Sequence, residues 1–336
     1  MKNKLTVNLV TYNHEKYISR CIDSLLSQKT DFGYIIRIFD DCSTDGTTEI
    51  CREYADKYPD KIAFYPAEKN LGYKGKVLEN ALRSYQNIET PYFCFIEGDD
   101  YRINENGFQM QVDALEEYPN CVFAGAACKT LVGNDLSDEP VFYATGVVTQ
   151  NDFISNYKNF LFPIISTRII RTSAIAIDKD EPLNFIRDID QFYYLLNKGD
   201  IYYDNKCLSV YRMSGSGLCS GLDVFGQIAL LLDTLTNINS FTKEKFKKNL
   251  LTHFFQVASW YAYLEEPQYK KEEIQVQTET NTEKIVELSL KEKRKIKLKR
   301  FKHYILPPVL IDLLNTPRDL SRFIRKQWRK RHESSV

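Results

Sequence analysis

The sequence has no cysteine pair with C-x-x-C spacing and no apolar run of about 18 residues, the length that a membrane-spanning helix requires. Its eight cysteines are scattered, without the spacing of metal ligands. No secretory signal precedes the first predicted strand, which begins at Leu5. These absences argue against a cysteine-based metal site and a spanning helix, and they predict a protein of the reducing cytoplasm.

Net charge is also absent, since 45 Lys and Arg balance 45 Asp and Glu. The balance hides an asymmetry: Lys291 to Val336 carries fifteen basic residues against four acids, so the preceding part is acidic. In this basic tail, Leu320, Phe323, Ile324 and Trp328 follow helical spacing among arginines and lysines. We expect the tail either to bind an anionic membrane surface or to pack on the globular domain. Nucleic acid is disfavoured as a partner, because the acidic body would repel it.

Apolar runs and amphipathic segments alternate over the first hundred residues. Such alternation predicts an α/β fold, with a mostly parallel sheet covered by helices on both faces. Ligands of such sheets bind at the carboxyl ends of the strands. The predicted strands are Leu5–Val10, Tyr34–Phe39, Lys61–Tyr65 and Tyr92–Ile96, and the predicted helices are Tyr17–Leu26, Thr48–Tyr58 and Lys76–Tyr85.

The order of elements is less regular beyond Asn106. We expect residues 1–222 to form the main domain, with halves at about 1–120 and 121–222, and residues 223–336 to form a helical C-terminal region. The patterns predict helices at Gln109–Tyr118 and Phe185–Lys198, a strand or buried helix at Cys121–Thr130, short strands at Ile201–Tyr203 and Leu208–Tyr211, and a polar linker at Glu265–Glu283.

Glu97-Gly98-Asp99-Asp100 directly follows the buried strand Tyr92–Ile96. Three carboxylates in four residues repel one another, and each raises its neighbour's pKa unless a cation compensates. Mg²⁺ and Mn²⁺ take oxygen ligands, usually one or two carboxylates together with phosphates. The motif therefore predicts a divalent-metal site that also holds a phosphorylated ligand; the alternative is a plain polar turn after a core strand.

This motif and three others resemble the catalytic domain of glycosyltransferase family 2, which has the GT-A type of nucleotide-sugar-binding fold. The matching segments are Val10–Ile18, Asp40–Thr47, Lys69–Gly72 and Glu97–Tyr101. A looser similarity continues through Asp188, Gly199 and Arg212, so the resemblance covers about residues 4 to 220. The fold class it implies is a Rossmann-like mixed sheet followed by a helical C-terminal region.

The resemblance implies roles for individual residues. Thr11, Tyr12, Asn13 and Asp41 would bind the nucleotide, usually a uridine diphosphate. Glu97 would contact the ribose, in place of the commoner Asp. Asp99 would bind Mn²⁺ or Mg²⁺, with Asp100 as a supporting ligand, and Arg212 would face the diphosphate.

The implied reaction transfers a hexosyl or N-acetylhexosaminyl group from a UDP-sugar to a hydroxyl of a surface glycan, such as a capsule, a lipo-oligosaccharide or a lipid-linked chain. Inversion in one step needs a base that removes the acceptor proton. Asp188 matches the family's base, although Arg187 replaces the preceding Glu, and Asp190 is the second candidate. The basic tail would hold such an enzyme peripherally at the inner face of the membrane.

Two other functions are open to this sequence. A sugar-phosphate nucleotidyltransferase would need a glycine-rich, basic loop after the first strand, where this chain has Thr11–His14. A non-catalytic membrane-bound scaffold that binds a nucleotide sugar would be favoured by loss of the carboxylate at 188, which is present.

Overall fold

The computed structural model describes residues 2–71, 83–138, 143–156, 163–175, 188–213 and 224–254. The chain divides into two compact units, Met1–Gly221 and Leu222–Val336. The predicted linker, the basic tail and most of the predicted helix Lys76–Tyr85 lie outside the described residues.

The described residues of the first unit form ten strands, five α-helices and two short 3-10 helices, and one α-helix opens the second unit. The strands are β1 (Asn3–Thr11), β2 (Gly33–Asp40), β3 (Ile62–Pro66), β4 (Tyr92–Glu97), β5 (Tyr101–Arg102), β6 (Cys121–Val132), β7 (Asp135–Asp138), β8 (Gly146–Val148), β9 (Ile169–Arg171) and β10 (Asp200–Met213). The helices are α1 (Ile18–Leu26), α2 (Thr47–Lys57), α3 (Gly107–Glu117), α4 (Gln150–Ser155), α5 (Asp188–Lys198) and, in the second unit, α6 (Val224–Phe241).

All ten strands form one mixed sheet in the order β3-β2-β1-β4-β9-β6-β10-β5, with β7 beside β6 and β8 beside β10. The strands β1 to β4 are parallel to one another, and β6 is parallel to β10, whereas β9 runs antiparallel to both β4 and β6. The carboxyl ends of β1, β2, β4, β6 and β10 therefore lie at one edge of the sheet. The predicted mixed, mostly parallel α/β fold is confirmed.

Both faces of β1 are buried, although with different chemistry. Leu5, Val7 and Leu9 are inaccessible to solvent and belong to the main core, together with the apolar face of α1. On the other face, Thr6 shares a 2.7 Å hydrogen bond with Thr90, and Asn8 Nδ2 donates to the Ser84 carbonyl at 2.9 Å. The Thr6 hydroxyl and the Asn8 side-chain nitrogen are therefore hydrogen-bonded inside a strand that is covered on both sides.

The second half of the sheet departs from the prediction in one place. The two short strands predicted at Ile201–Tyr203 and Leu208–Tyr211 are parts of the single strand β10. Its register with β6 shifts between Asp204 and Cys207 and again between Cys207 and Ser209, so a bulge absorbs the polar residues between the apolar runs. The segment predicted as strand or helix at Cys121–Thr130 is the buried strand β6.

Two further findings concern the cysteines and the helices of the described residues. The seven cysteines within the described ranges are all free thiols. In those same ranges, no helix is both long and apolar enough to cross a bilayer.

Candidate active site at the carboxyl edge of the sheet

The loops that follow β1 and β2 are locked to each other by hydrogen bonds. Asn13 adopts a left-handed backbone with φ of 55°, a conformation that asparagine tolerates better than most residues. Its backbone N–H donates to Ser43 Oγ at 2.9 Å, and its Oδ1 accepts from the Thr44 backbone N–H at 2.8 Å. Asn13, which was predicted to bind the nucleotide, thus holds the two loops of the site together.

The acids on either side of Asp41 also stabilise these loops. Asp40 is buried and accepts hydrogen bonds from the hydroxyl groups of Ser43 and Thr48. Asp45 accepts from the backbone N–H groups of Thr47 and Glu15, at 3.0 and 3.1 Å. Both carboxylates therefore hold the start of α2 against the first loop.

Three of the four sequence motifs meet at Asp41. Its backbone N–H donates to the Thr11 carbonyl at 3.0 Å, which joins the ends of β1 and β2. Its Oδ1 accepts from the Leu71 backbone N–H at 2.9 Å, and its carbonyl accepts from Asn70 Nδ2 at 3.0 Å. Next to this junction, the Tyr12 side chain is 43% exposed, so its ring is accessible to a ligand.

The fourth motif forms a tight turn that packs against the first loop. Asp100 N–H donates to the Glu97 carbonyl at 3.0 Å, and Gly98 N–H donates to the Val10 carbonyl at 2.9 Å. A Cβ at Gly98 would lie 2.6 Å from Thr11 Oγ1 and 2.8 Å from His14 Nδ1, so this close approach requires glycine. Thr11 Oγ1 also lies 3.1 Å from His14 Nδ1, and the buried Thr11 side chain therefore supports the turn.

Arg212, near the end of β10, is anchored to this turn. Its backbone N–H donates to Asp100 Oδ1 at 2.9 Å, and its Nε donates to the Asp99 carbonyl at 3.1 Å. The guanidinium carbon lies 4.4 Å from the centre of the Tyr17 ring, a cation–π contact. A positive charge is thus fixed beside the acidic turn, where the sequence predicted a diphosphate contact.

Glu97, Asp99, Asp100 and Asp188, here called the carboxylate cluster, act on one another electrostatically. Burial by the surrounding protein, together with Asp100, Asp99 and Asp188, raises the pKa of Glu97 to about 8. The Glu97 side chain keeps contact with solvent, but the direction of the shift follows from the like charges alone. Burial and Asp99 likewise raise the pKa of Asp100 to about 7, against an opposing hydrogen bond from Arg212.

Tyr211 lies among all four members of the cluster. Burial raises the pKa of its hydroxyl above the ordinary value, and Glu97, Asp100, Asp188 and Asp99 each add to the shift. The half-buried Tyr211 therefore marks the point where the acids from β4 and α5 converge.

The two candidate bases differ in accessibility. Asp188 is the first residue of α5 and is partly exposed, and its charge acts on Glu97. Asp190 is only 1% exposed, two residues further along the helix. Since a base must reach the acceptor hydroxyl, the structure favours Asp188 over Asp190.

The residues present fit a metal ion that is shared with phosphate groups. No group of three or more His, Cys, Asp or Glu side chains in the described part of the chain could hold an ion alone. Asp99 is 7% exposed, with its Oδ2 4.0 Å from His14 Nε2. Asp100 Oδ2 is buried without a hydrogen-bond partner among the described residues, although the Ser166 hydroxyl lies nearby. A metal ion bound by these two carboxylates would have further coordination positions open, which the oxygens of a diphosphate could fill. Mg²⁺ and Mn²⁺ suit such a site.

The sequence analysis did not identify Gly98 and Tyr211 as parts of this site, nor Arg168 as a neighbour of it, whose Nη1 donates to the Asp188 carbonyl at 2.9 Å. Gly98 stood inside the acidic motif, and its lack of a side chain was the available signal. Tyr211 stood beside Arg212 in the looser match, without a distinctive pattern of its own. No sequence pattern indicated a role for Arg168, because folding alone brings its hydrogen-bond partners next to it.

Comparisons with known proteins show which family and which fold this chain shares. Residues 6–175 match the family model described as "Glycosyl transferase family 2". The putative teichuronic acid biosynthesis glycosyltransferase TuaG of Bacillus subtilis is 26% identical over 220 residues, which are 65% of this chain and 82% of TuaG. Three mycobacterial relatives described as uncharacterized are 31% identical over 115 residues, and the chain spans about a third of their length.

Solved structures share the fold. The structure of Staphylococcus aureus TarS 1–349 in complex with UDP-GlcNAc superposes with a TM-score of 0.56 at 23% identity, covering 76% of this chain and 73% of TarS 1–349. The mannosyltransferase PcManGT from Pyrobaculum calidifontis, in complex with GDP-Man and Mn²⁺, gives a TM-score of 0.52 at 13% identity, covering 78% and 72% of the two chains. The GT-A-type fold predicted from the sequence is therefore confirmed.

Proposed function

The chain belongs to glycosyl transferase family 2, and on this premise we propose that it transfers a sugar from a nucleoside diphosphate sugar to a hydroxyl of a cell-surface glycan. We infer that the donor is a UDP-sugar that carries a hexose or N-acetylhexosamine, and that transfer inverts the anomeric carbon. The similarity to TuaG and the UDP-GlcNAc bound to TarS support this choice. The acceptor class is a growing or lipid-linked surface glycan at the cytoplasmic face of the membrane.

The observation that carries the proposal is the convergence of the carboxylate cluster with Arg212 at the carboxyl edge of the sheet. Acids that the fold holds together repel one another and favour a compensating cation, and the fixed arginine attracts an anion. A diphosphate with a divalent metal satisfies both requirements at once.

Donor binding follows from the loops that surround this point. We propose that the exposed Tyr12 ring stacks on the uracil and that Asp41 accepts its imide N–H. Thr11 and Asn13 keep those two residues in place through the hydrogen bonds between the loops. Glu97 faces solvent at the end of β4, where a carboxylate can accept hydrogen bonds from ribose hydroxyls.

We propose that Asp99, Asp100 and Arg212 bind the diphosphate end of the donor. Asp99 and Asp100 are the candidate ligands for Mn²⁺ or Mg²⁺, and PcManGT with its bound Mn²⁺ supports the choice of ion. When bound, such an ion offsets the charge that builds on the departing diphosphate. Arg212 stabilises the same charge from the end of β10, with its guanidinium over the Tyr17 ring.

The chemical step on the acceptor side is assigned to Asp188. Inverting transfer needs one carboxylate to take the acceptor proton while the hydroxyl attacks the anomeric carbon. Asp188 is partly exposed at the start of α5 and is close enough to Glu97 to act on it electrostatically. The loop after β1 lacks the glycine-rich, basic character that a sugar-phosphate nucleotidyltransferase requires, which argues against that alternative.

Calorimetric titration with UDP and Mn²⁺ tests the donor site. We expect Asp99→Ala to abolish metal-dependent UDP binding while the fold survives, because removing one of several like charges does not harm the metal-free protein. Asp113→Ala, an exposed acid on α3, is the control and should bind as the unaltered protein does. Undiminished affinity in Asp99→Ala would contradict the metal assignment.

A further inference from the structure

Arg168 is an arginine without any exposed surface, located just before β9. Its Nε donates to the Pro163 carbonyl at 2.5 Å, and its Nη1 donates to the Asp188 carbonyl at 2.9 Å and to Gln191 Oε1 at 3.2 Å. Burying a guanidinium is costly unless it is hydrogen-bonded and close to an opposite charge. Two of these hydrogen bonds end on the first turn of α5, which carries the candidate base.

The opposite charge near Arg168 is the Asp188 carboxylate. Burial lowers the pKa of Arg168 to about 10, while Asp188 and then Tyr85 act in the other direction. Arg168 therefore remains protonated at neutral pH. Three charged or titratable groups from other elements interact with the Asp188 carboxylate: Arg168, Glu97 from β4 and Tyr211 from β10.

The contacts of Arg168 continue to the strand that carries the acidic turn. Gln191 Nε2 donates to the Tyr85 hydroxyl at 2.5 Å. The Tyr85 ring packs edge-on against Phe95 of β4, with ring centres 5.0 Å apart. Since β4 ends in Glu97, this chain of contacts connects the start of α5 to the donor side of the site.

We propose that Arg168 is the positioning residue for Asp188. It fixes the start of α5 through the main-chain carbonyl of Asp188, and it places a positive charge beside the Asp188 carboxylate among the neighbouring acids. The inference rests on the proposed function, in which Asp188 removes the acceptor proton. Arg212 then serves the diphosphate and Arg168 serves the base, one arginine on each side of the cluster.

A purely structural role is the alternative, and the chain offers a matched control. Arg171 lies three residues further on and has the same kind of bonds. Its Nη2 donates to the Leu115 carbonyl at 2.6 Å and its Nε to the Cys121 carbonyl at 3.3 Å, both away from α5. Replacing Arg171 therefore removes comparable hydrogen bonds without altering the surroundings of Asp188.

The kinetic test compares Arg168→Met, Arg168→Lys and Arg171→Met in a UDP-release assay with the saturating acceptor identified for the unaltered enzyme. We expect Arg168→Met to lower kcat by on the order of 10²-fold, within the range that a general base contributes, with the donor KM and metal-dependent UDP binding changed less than about threefold. Arg168→Lys, which keeps the charge, should recover part of kcat, and Arg171→Met should retain it. Equal kcat in Arg168→Met and the unaltered enzyme would overturn the inference, as would equal losses in both Met variants.

A second measurement does not depend on turnover. The carboxyl ¹³C NMR signal of Asp188 at a fixed, neutral pH is assigned by its loss in Asp188→Asn. We expect this signal to move in Arg168→Met, because the neighbouring positive charge and the hydrogen bond to the Asp188 main-chain carbonyl are removed, and to stay in place in Arg171→Met. An unmoved signal in Arg168→Met overturns the inference, whereas a protein that shows this change but transfers no sugar contradicts the proposed function alone.

Discussion

At the scale of single residues, the site is a balance between acids that repel one another and two arginines that offset them. Glu97, Asp99 and Asp100 come from one turn and Asp188 from another element, so the fold itself concentrates negative charge. Arg212 is bonded to the turn and Arg168 to the helix start. Charge left uncompensated by these arginines is available to a divalent metal.

The raised pKa values of Glu97 and Asp100 predict how stability depends on pH. Their pKa values are about 8 and 7 in the folded protein, against ordinary values of 4.5 and 3.8. The folded protein therefore binds more protons than the unfolded chain between about pH 4 and 8, so these groups make stability fall as pH rises through that window. We expect the urea midpoint of the metal-free protein to be lower at pH 8.5 than at pH 6.

The control for this prediction is the double variant Glu97→Gln with Asp100→Asn, which should show a flatter pH dependence. The comparison also removes the opposite contribution of His14, whose pKa is lowered by burial and which is present in both proteins. Adding Mn²⁺ and UDP should restore the midpoint at pH 8.5 in the unaltered protein only. An identical pH dependence in both proteins would show that these carboxyl groups do not carry the shifted titration.

At the scale of elements, the sequence predicted the structure where local pattern determines it. The apolar runs at Leu5–Val10 and Tyr92–Ile96 are strands β1 and β4, and the polar motifs after them meet at the carboxyl edge because parallel strands end there. Strand β9 has only three residues and exists because β4 and β6 pair with it on either side. Local periodicity could not reveal such a strand.

The same limit applies to the candidate site. Asp41, Asp99 and Asp188 were predicted because they stand at positions that match motifs of the family which the sequence resembles. The hydrogen bonds of Asn13 to the neighbouring loop depend on the packing of two separate loops. The partners of Arg168 lie up to 23 residues away in sequence, and no pattern along the chain connects them.

Gly98 provides a test of the turn as an element. In Gly98→Ala, the new methyl group meets Thr11 Oγ1 and His14 Nδ1 at under 3 Å, so we expect a loss of about 1–3 kcal/mol in the free energy of unfolding and weaker metal-dependent UDP binding. Gly46→Ala is the matched control, because its methyl group would meet only the Glu15 side chain, which can move away. Urea denaturation and calorimetry measure both effects. Equal stability and UDP affinity in the two variants would mean that the turn has room for a side chain.

At the scale of the whole molecule, the charge of the chain is divided between an acidic body and a basic tail. The tail lies outside the described residues, so its membrane role stays a prediction. Pro317 to Val336 offers seven basic residues, each worth about 1 kcal/mol near anionic lipid. Leu320, Phe323, Ile324 and Trp328 would add apolar insertion. We propose that this segment brings the enzyme to the surface where a lipid-linked acceptor is found.

Deleting Pro317 to Val336 should release the protein from anionic vesicles and leave UDP binding unchanged. Co-sedimentation with vesicles that contain or lack anionic lipid measures the first effect, and calorimetry the second. Binding should weaken at high salt, because the Debye length shrinks to about 3 Å at 1 M. Equal pelleting of the full-length and shortened proteins would instead indicate a helix that packs on the globular domain.

The central claim is that the carboxylate cluster carries out metal-dependent sugar transfer from a nucleotide donor. Its most direct test is the release of nucleoside diphosphate from a panel of UDP- and GDP-sugars, with Mn²⁺ or with EDTA, by the full-length protein and by Asp188→Asn. We expect release of UDP from at least one UDP-sugar with Mn²⁺ and no release with EDTA. In Asp188→Asn, the rate should be lower by on the order of 10²–10⁴-fold. Release that persists in EDTA, or an Asp188→Asn variant as fast as the unaltered protein, would contradict it.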